Sequence, residues 1–353
     1  MKHIFTIHSP ITFFSACAVI FQEKLAHEDV IIINDGYKVP FKIGTIVDSY
    51  QQQEKGIWRK IKNFNLVKAY DQYIKELTHG QQFIAYIDLM HAYQRLLITN
   101  PNCVKFNFIE EGTASYVVPD NLLFITNGAN QVTFRNKNNK QLAISLFRVM
   151  RGVNIRVLSL PFNPQSYAGI NEVKFYTFSE HGFPGIEREK KIILNPHEID
   201  PTIWSNSDYY TQIKDEVIWI EESFPRVYKV AEENYETAIL KTIAHLKQKG
   251  ITKILVKLRP KSKASNSYLI DILKKNNIKV EVMPDTIIAE WLFIQAKNLQ
   301  VIGIVSSLLF YASIFGQQSW SFFEDIKEKP NNPFEKMKFY WEEVNHLLDV
   351  NFN

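Results

Sequence analysis

Short, β-rich apolar runs alternate with helical patterns along most of the chain, and this alternation restricts the fold more than any other feature. Parallel strands need a crossover between them, usually a helix, so the pattern implies an α/β chain layered on parallel sheets. In the first half, His3 to Ile7 reads as a strand, Ile11 to Leu25 as a helix and Asp29 to Ile33 as the next strand. Phe13, Phe14, Cys17, Phe21 and Leu25 fall near one face of that helix. Lys60 to Leu77 is helical, Phe83 to Ile87 a strand, Met90 to Leu97 a helix and Val104 to Phe108 a strand.

The regular pattern weakens between Asn121 and Lys190, where a turn-rich basic stretch, Arg135 to Gln141, reads as a solvated tip among accessory loops. It resumes with strands at Val217 to Ile220, Ile254 to Leu258, Lys279 to Val282 and Gln300 to Val305. Helices at Ala231 to Gln248, Ser267 to Lys275, Ile287 to Ala296 and Ser306 to Phe315 alternate with them. At 353 residues the chain exceeds what one core holds, and roughly two domains are expected. The pattern divides it into an N-terminal Rossmann-like domain, 1–210, a second one, 211–328, and a closing amphipathic helix, 329–353, that packs back across the domains. Phe334, Met337, Tyr340 and Trp341 on that helix suit core packing, with a membrane surface as the alternative.

No apolar stretch reaches the roughly 20 residues of a spanning helix. His8, Ser9 and Pro10 interrupt the apolar N-terminus, which therefore reads as strand, turn and helix and not as a leader. Two cysteines, Cys17 and Cys103, lie in apolar segments, which argues against a disulfide framework or a Cys-based metal site and fits a reducing cytoplasm. A net charge of +4 permits attraction to phosphates or to an anionic membrane face without establishing either, and no nucleic-acid partner is expected. Neither half carries a Gly-x-Gly-x-x-Gly or Walker-type loop.

Ligands of open parallel sheets sit at the carboxyl ends of strands, and three motifs fall there. Glu110-Glu111-Gly112 closes a first-half strand with two acids that repel each other, an arrangement that is either solvated or used to accept a proton. The stretch Val256 to Lys263 brings Lys257, Arg259, Lys261 and Lys263 to a second-half strand end, with Pro260 fixing the turn, and Arg259 can hold a phosphate by paired donors. Ser306-Ser307 stands between strand and helix, where hydroxyls and open backbone N–H groups suit an anion or simply cap the helix. Glu221 and Glu222 end another second-half strand, as a solvated pair or as contacts to a nucleoside ribose, and Asp35-Gly36-Tyr37 ends an early strand, as a turn or as part of an acceptor site.

In order and spacing these motifs resemble those of the bacterial sialyltransferases of GT-B type, the lipooligosaccharide sialyltransferases and capsular polysialyltransferases. That group shares an acidic-acidic-glycine motif, a His-Pro motif and a Ser-Ser motif; here they correspond to Glu110-Glu111-Gly112, Arg259-Pro260 and Ser306-Ser307, with Ser9 and Pro10 near the N-terminus as a further likeness. The resemblance implies a GT-B α/β fold, two Rossmann-like domains with parallel sheets facing a central cleft. It also implies inverting transfer of a nonulosonic acid from a CMP-sugar donor to a hydroxyl of a surface glycan, with no obligatory cofactor or metal. Glu111 would be the general base with Glu110 as its neighbour. Lys257, Arg259, Pro260, Ser306, Ser307 and Glu222 would bind the nucleotide sugar, and Ser9, Asp35 and Gly112 would lie on the acceptor side. The partners implied are a nucleotide sugar and a glycan, with room for a homodimer and for peripheral contact with the inner membrane.

The departure is arginine at 259 where the group has histidine; a guanidinium offsets charge on a leaving phosphate but does not donate a proton near neutral pH. His181 and His91 are candidate replacements, although neither stands at a matching position. Alternatives are a GT-B transferase using CMP-Kdo or a UDP- or GDP-sugar, and a non-catalytic glycan-binding relative.

Overall fold

The computed structural model describes residues 1–50, 65–88, 92–118, 121, 156, 160, 163–203, 207–222, 224–259 and 267–348. The start of the expected helix at Lys60, the basic stretch 135–141, His91, Pro260, Lys261 and Lys263 lie outside the described residues. The chain forms two compact units, Met1–Asp200 and Pro201–Asn353.

The first unit is built on a parallel sheet of strands β1 (Lys2–Ile7), β2 (Val30–Asn34), β3 (Thr45–Asp48), β4 (Phe83–Ile87), β5 (Cys103–Ile109), β6 (Phe175–Thr177) and β7 (Lys191–Ile193), in the order β3-β2-β1-β4-β5-β6-β7. The order reverses between β1 and β4, whose register pairs Lys2 with Phe83 and Phe5 with Tyr86. All five residues of β2 are buried, as expected of a strand covered on both faces. Helix α1 (Pro10–Gln22) starts where Ser9 caps it and Pro10 supplies a preset φ; every residue from Ile11 to Ile20 is buried, Thr12 and Ser15 included, so it is a core helix covered all round and not a one-faced one. Helices α2 (Leu66–Thr78) and α3 (Ala92–Ile98) follow β3 and β4. Phe83, Phe108 and Phe175 are fully buried along the sheet, each side chain contributing about 2–3 kcal/mol of apolar burial.

The second unit carries β8 (Val217–Ile220), β9 (Lys253–Lys257), β10 (Lys279–Val282), β11 (Gln300–Gly303) and β12 (Gln318–Ser321) in a parallel sheet ordered β10-β9-β8-β11-β12. Its helices are α4 (Ser207–Gln212), α5 (Phe224–Tyr228), α6 (Glu232–Gln248), α7 (Tyr268–Lys275), α8 (Ala289–Gln295), α9 (Ser307–Ile314) and α10 (Asn332–Val344). The order reverses between β8 and β11. Helix α6 ends as its sequence implies, with Lys249 closing it and Gly250 at φ +76°.

Strands β3, β6, β7 and β12 add to the expected set. β6 and β7 have three residues each, too few for a period to show, and fall at the end of the stretch read as loops and just beyond it; β3 and β12 have four. Helix α4 belongs with the second unit, since the Ile288 N–H donates to the Tyr210 hydroxyl at 3.2 Å; the division between units therefore falls nearer 200 than 210.

Candidate functional site

The acid pair after β5 is split by its surroundings. Glu110 is fully buried, and its Oε2 accepts the Thr177 hydroxyl at 2.7 Å and the Phe178 N–H at 2.8 Å. Burial, and then the adjacent Glu110 carboxyl, push the Tyr116 hydroxyl well above its ordinary range. The Glu110 backbone is tied on both sides, its N–H donating to Tyr176 at 3.0 Å and its carbonyl accepting the Ser15 hydroxyl at 3.1 Å. Glu111 points elsewhere: its backbone N–H donates to the Ser115 hydroxyl at 3.0 Å, and its Oε1 lies 3.3 Å from His8 Nε2. Gly112 adopts φ +143°, a conformation open in practice only to glycine, and this lets the chain turn directly after the second acid.

His8 follows β1 and Asp88 follows β4, so the two flank the point where strand order reverses. His8 Nδ1 lies 3.0 Å from Asp88 Oδ2, at ion-pair distance. The Asp88 side chain is fully buried, and Gln94 on α3 donates its amide to Asp88 Oδ1 and to the Thr6 hydroxyl, the latter at 2.9 Å. The His8 ring thus bridges Asp88 and Glu111. Burial works against its charge, but hydrogen bonds and attraction from Asp88 and Glu111 outweigh it and push the imidazolium up to about 10. Neither His8 nor Asp88 is a site residue by sequence reading. The signal was their place one residue beyond a strand end, where His8 served only as a break in an apolar run.

Among the expected acceptor-side residues, Ser9 caps α1, accepting the Thr12 N–H at 3.3 Å in a capping box. Asp35 lies at the exposed end of β2, where its Oδ1 accepts the Ser49 hydroxyl at 2.6 Å. His181 is exposed in a turn.

In the second unit the structure gathers Glu222, Arg259 and the serine loop. Glu222, just beyond β8, is half-buried, and its carboxylate accepts the Ile304 N–H at 2.6 Å and the Val305 N–H at 3.1 Å. Burial pushes this carboxyl up to about 7, while the N–H groups of Ile304, Val305 and Ser306 and the charge of Arg259 pull the other way. The loop's leading N–H donors, expected to be open to an anion, are therefore already engaged by a carboxylate. Ser306 caps α9 through the Leu308 N–H at 3.4 Å, and Ser307 is its first residue. Arg259 is exposed, so its guanidinium meets solvent.

Lys257 turns inward, its ammonium donating to the Ile287 carbonyl at 3.1 Å. Burial lowers its proton affinity against the pull of Glu290 and Asp285, and burial likewise raises the carboxyl of Glu290. The Glu221 N–H donates to the Lys257 carbonyl at 2.9 Å, which ties the two strand ends together. Among the described residues no group of His, Cys, Asp and Glu side chains has a metal-holding arrangement.

The family model for alpha-2,8-polysialyltransferase matches residues 3–319. Among solved structures the chain is similar to a UDP-GlcNAc 2-epimerase from Methanocaldococcus jannaschii, with 11% identity, TM-score 0.48, and 100% of this chain and 94% of that one covered. It is also similar to a UDP-GlcNAc 2-epimerase from Neisseria meningitidis, with 11% identity, TM-score 0.46 and coverage of 100% and 96%. A third is the E. coli ADP-heptose lps heptosyltransferase II, with 10% identity, TM-score 0.39 and coverage of 98% of each chain. No curated protein matches the chain at a significant level.

Proposed function

The chain belongs to the alpha-2,8-polysialyltransferase family, whose members are sialyltransferase-like glycosyltransferases, and from that premise we propose inverting transfer of a nonulosonic acid from a CMP-linked donor to a glycan hydroxyl. In this reading Glu111 takes the proton of the acceptor hydroxyl as its oxygen attacks the anomeric carbon. The bond from that carbon to the CMP phosphate oxygen breaks, and its electron pair leaves with the phosphate. Attack and departure on opposite faces invert the configuration. Arg259 offsets the charge that gathers on the leaving phosphate, and the hydroxyls of Ser306 and Ser307 supply donors beside it. Because the phosphate already leaves as a stable anion, this assignment needs no proton from the position where the motif has histidine.

The observation that carries the reading is the division of work within the acid pair. Glu110 is fully buried on Thr177 and Phe178, whereas Glu111 turns to His8 at the carboxyl edge of the parallel sheet, and this difference supports Glu111 over Glu110 as the base. The free thiols of Cys17 and Cys103 support a reducing compartment, and no helix among the described residues is long and apolar enough to cross a membrane.

Incubation with CMP-sialic, CMP-pseudaminic and CMP-legionaminic acids and a panel of glycan acceptors tests the proposal. CMP should be released with at least one donor, and Glu111→Gln should lower turnover by about 10²- to 10⁴-fold while CMP still binds. A folded chain that binds neither CMP nor any CMP-sugar, or that binds only UDP- or GDP-sugars, refutes the donor assignment.

A further inference from the structure

His8 joins two carboxylates that come from different strands. Asp88 Oδ2 lies 3.0 Å from Nδ1 and Glu111 Oε1 lies 3.3 Å from Nε2, so both ring nitrogens face acceptors. An imidazole donates from both nitrogens only when it is cationic. The Asp88 side chain is wholly buried, and a buried carboxylate without a compensating cation is costly. One cation between two anions is therefore the favoured distribution, with His8 protonated and Glu111 ionised. Among the described residues, Asp88 from the end of β4 and Glu111 from the end of β5 lie against the ring. Gln94 on α3 donates to Asp88, and the Thr12 hydroxyl on α1 accepts the His8 backbone N–H at 3.0 Å. Glu110 is turned away to Thr177 and Phe178.

Resting on the assignment of Glu111 as the base, we propose that His8, oriented by Asp88, is a positioning residue that keeps Glu111 deprotonated and fixes the direction of its carboxylate. His8 does not remove the substrate proton. As an imidazolium it has no lone pair to offer, and its effect on the reaction passes through Glu111. Asp88 in turn acts through His8: it fixes the ring plane and stabilises the cation, and Gln94 locks Asp88. The arrangement resolves a difficulty of a doubled acid, since an acid beside another acid tends to hold its proton, whereas an acid beside a cation releases it at lower pH.

The experiment compares pH profiles of kcat/KM for the wild type, His8→Gln, Asp88→Asn and the double variant, with CMP binding measured alongside. Losing a cation in contact with a carboxylate raises that carboxyl by about 1–3 units, so the acid limb of His8→Gln should move up by that amount. The donor KM should stay within about twofold, because the residue acts on proton acceptance and not on uniform binding. Asp88→Asn should move the limb in the same direction, and adding it to His8→Gln should shift the limb no further, the coupling expected of residues acting in series. Independently of turnover, ¹⁵N NMR of the full-length wild type should show His8 as an imidazolium with both nitrogens protonated at neutral pH, with its titration midpoint lowered in both Glu111→Gln and Asp88→Asn.

An acid limb unmoved in a folded His8→Gln enzyme overturns the proposal, as does a wild-type His8 that titrates like a free histidine. Full turnover in Glu111→Gln overturns instead the base assignment beneath it. If His8→Gln does not fold, the wild-type titration and the Asp88→Asn profile still decide.

Discussion

Gly303 and Glu222 fit closely: a Cβ at position 303 would stand 3.1 Å from Glu222 Oε1, tighter than most such contacts. The glycine that ends β11 thus makes room for the carboxylate arriving from the end of β8, and that carboxylate occupies the N–H groups of the next two residues. The reversal point of the second sheet is closed by an internal carboxyl group.

Glu222 gives the fold a pH dependence whose sign is fixed. Its folded carboxyl is raised from 4.5 to about 7, so the folded chain binds more protons than the unfolded one between those values. Its contribution to stability is greatest below 4.5 and declines as pH rises through about 7. Glu222→Gln keeps an oxygen for the Ile304 and Val305 N–H groups and removes the ionisation. It should be neutral or stabilising by about 1 kcal/mol near pH 8, with a flatter stability profile between about pH 5 and 7. Urea denaturation across that range measures it, and an unchanged profile contradicts the assignment.

The alternation of elements was legible because apolar periods of two and 3.6 residues survive in any strand or helix long enough to repeat them. Short strands such as Phe175–Thr177 lack that length, and their place comes from pairing with β5, a long-range fact. Site residues followed the same division. Glu110 and Glu111 were visible as adjacent acids at a strand end, but which of them is buried depends on Thr177 and Phe178, some 67 and 68 positions away. His8 and Asp88 are 80 positions apart (88 − 8) and meet only because β1 and β4 are sheet neighbours. Glu222 engages residues 82 and 83 positions later for the same reason, since β8 and β11 adjoin.

The buried acid should be structural first. Glu110→Ala leaves the Phe178 N–H without its acceptor, at about 1–3 kcal/mol for a buried group left unsatisfied, while the Thr177 hydroxyl keeps the Ser179 carbonyl at 3.1 Å. The expected loss is roughly 1–3 kcal/mol, whereas Glu110→Gln, which retains an acceptor oxygen, should lose less than about half of that. Thermal denaturation of the two variants settles the order, and equal losses would show that those hydrogen bonds contribute little.

Gly112 should tolerate no side chain without strain. Its φ of +143° lies where L-residues are rare, although a Cβ there would meet only Ile11 Cγ2, at an ordinary 3.9 Å. The cost is therefore backbone conformation and not collision. Gly112→Ala should destabilise by about 1–3 kcal/mol. If Glu111 is the base, this variant should also lower kcat more than the donor KM, because the turn sets where the preceding carboxylate points. A stable Gly112→Ala enzyme with wild-type kcat would show that the turn does not position the acid.

The closing helix α10 provides a test at the opposite end of the chain. Phe334, Met337, Trp341 and Val344 are buried along it, and the rings of Phe334 and Trp341 lie 5.7 and 5.4 Å from the ring of Phe323 in the second unit. The aromatic face that suited either a core or a membrane surface is thus used in packing against its own unit. Trp341 also reaches Glu324 Oε1 through its indole N–H at 3.4 Å, a weaker contact than its ring packing. Removing a buried indole costs about 3–5 kcal/mol, so Trp341→Ala should unfold the second unit at clearly lower urea than the wild type. Trp341→Phe keeps most of the ring contact with Phe323 and should recover more than about half of the loss. Both variants are read by denaturation followed through tryptophan and far-UV signals, and a Trp341→Ala chain as stable as the wild type would mean that α10 is not part of the second core.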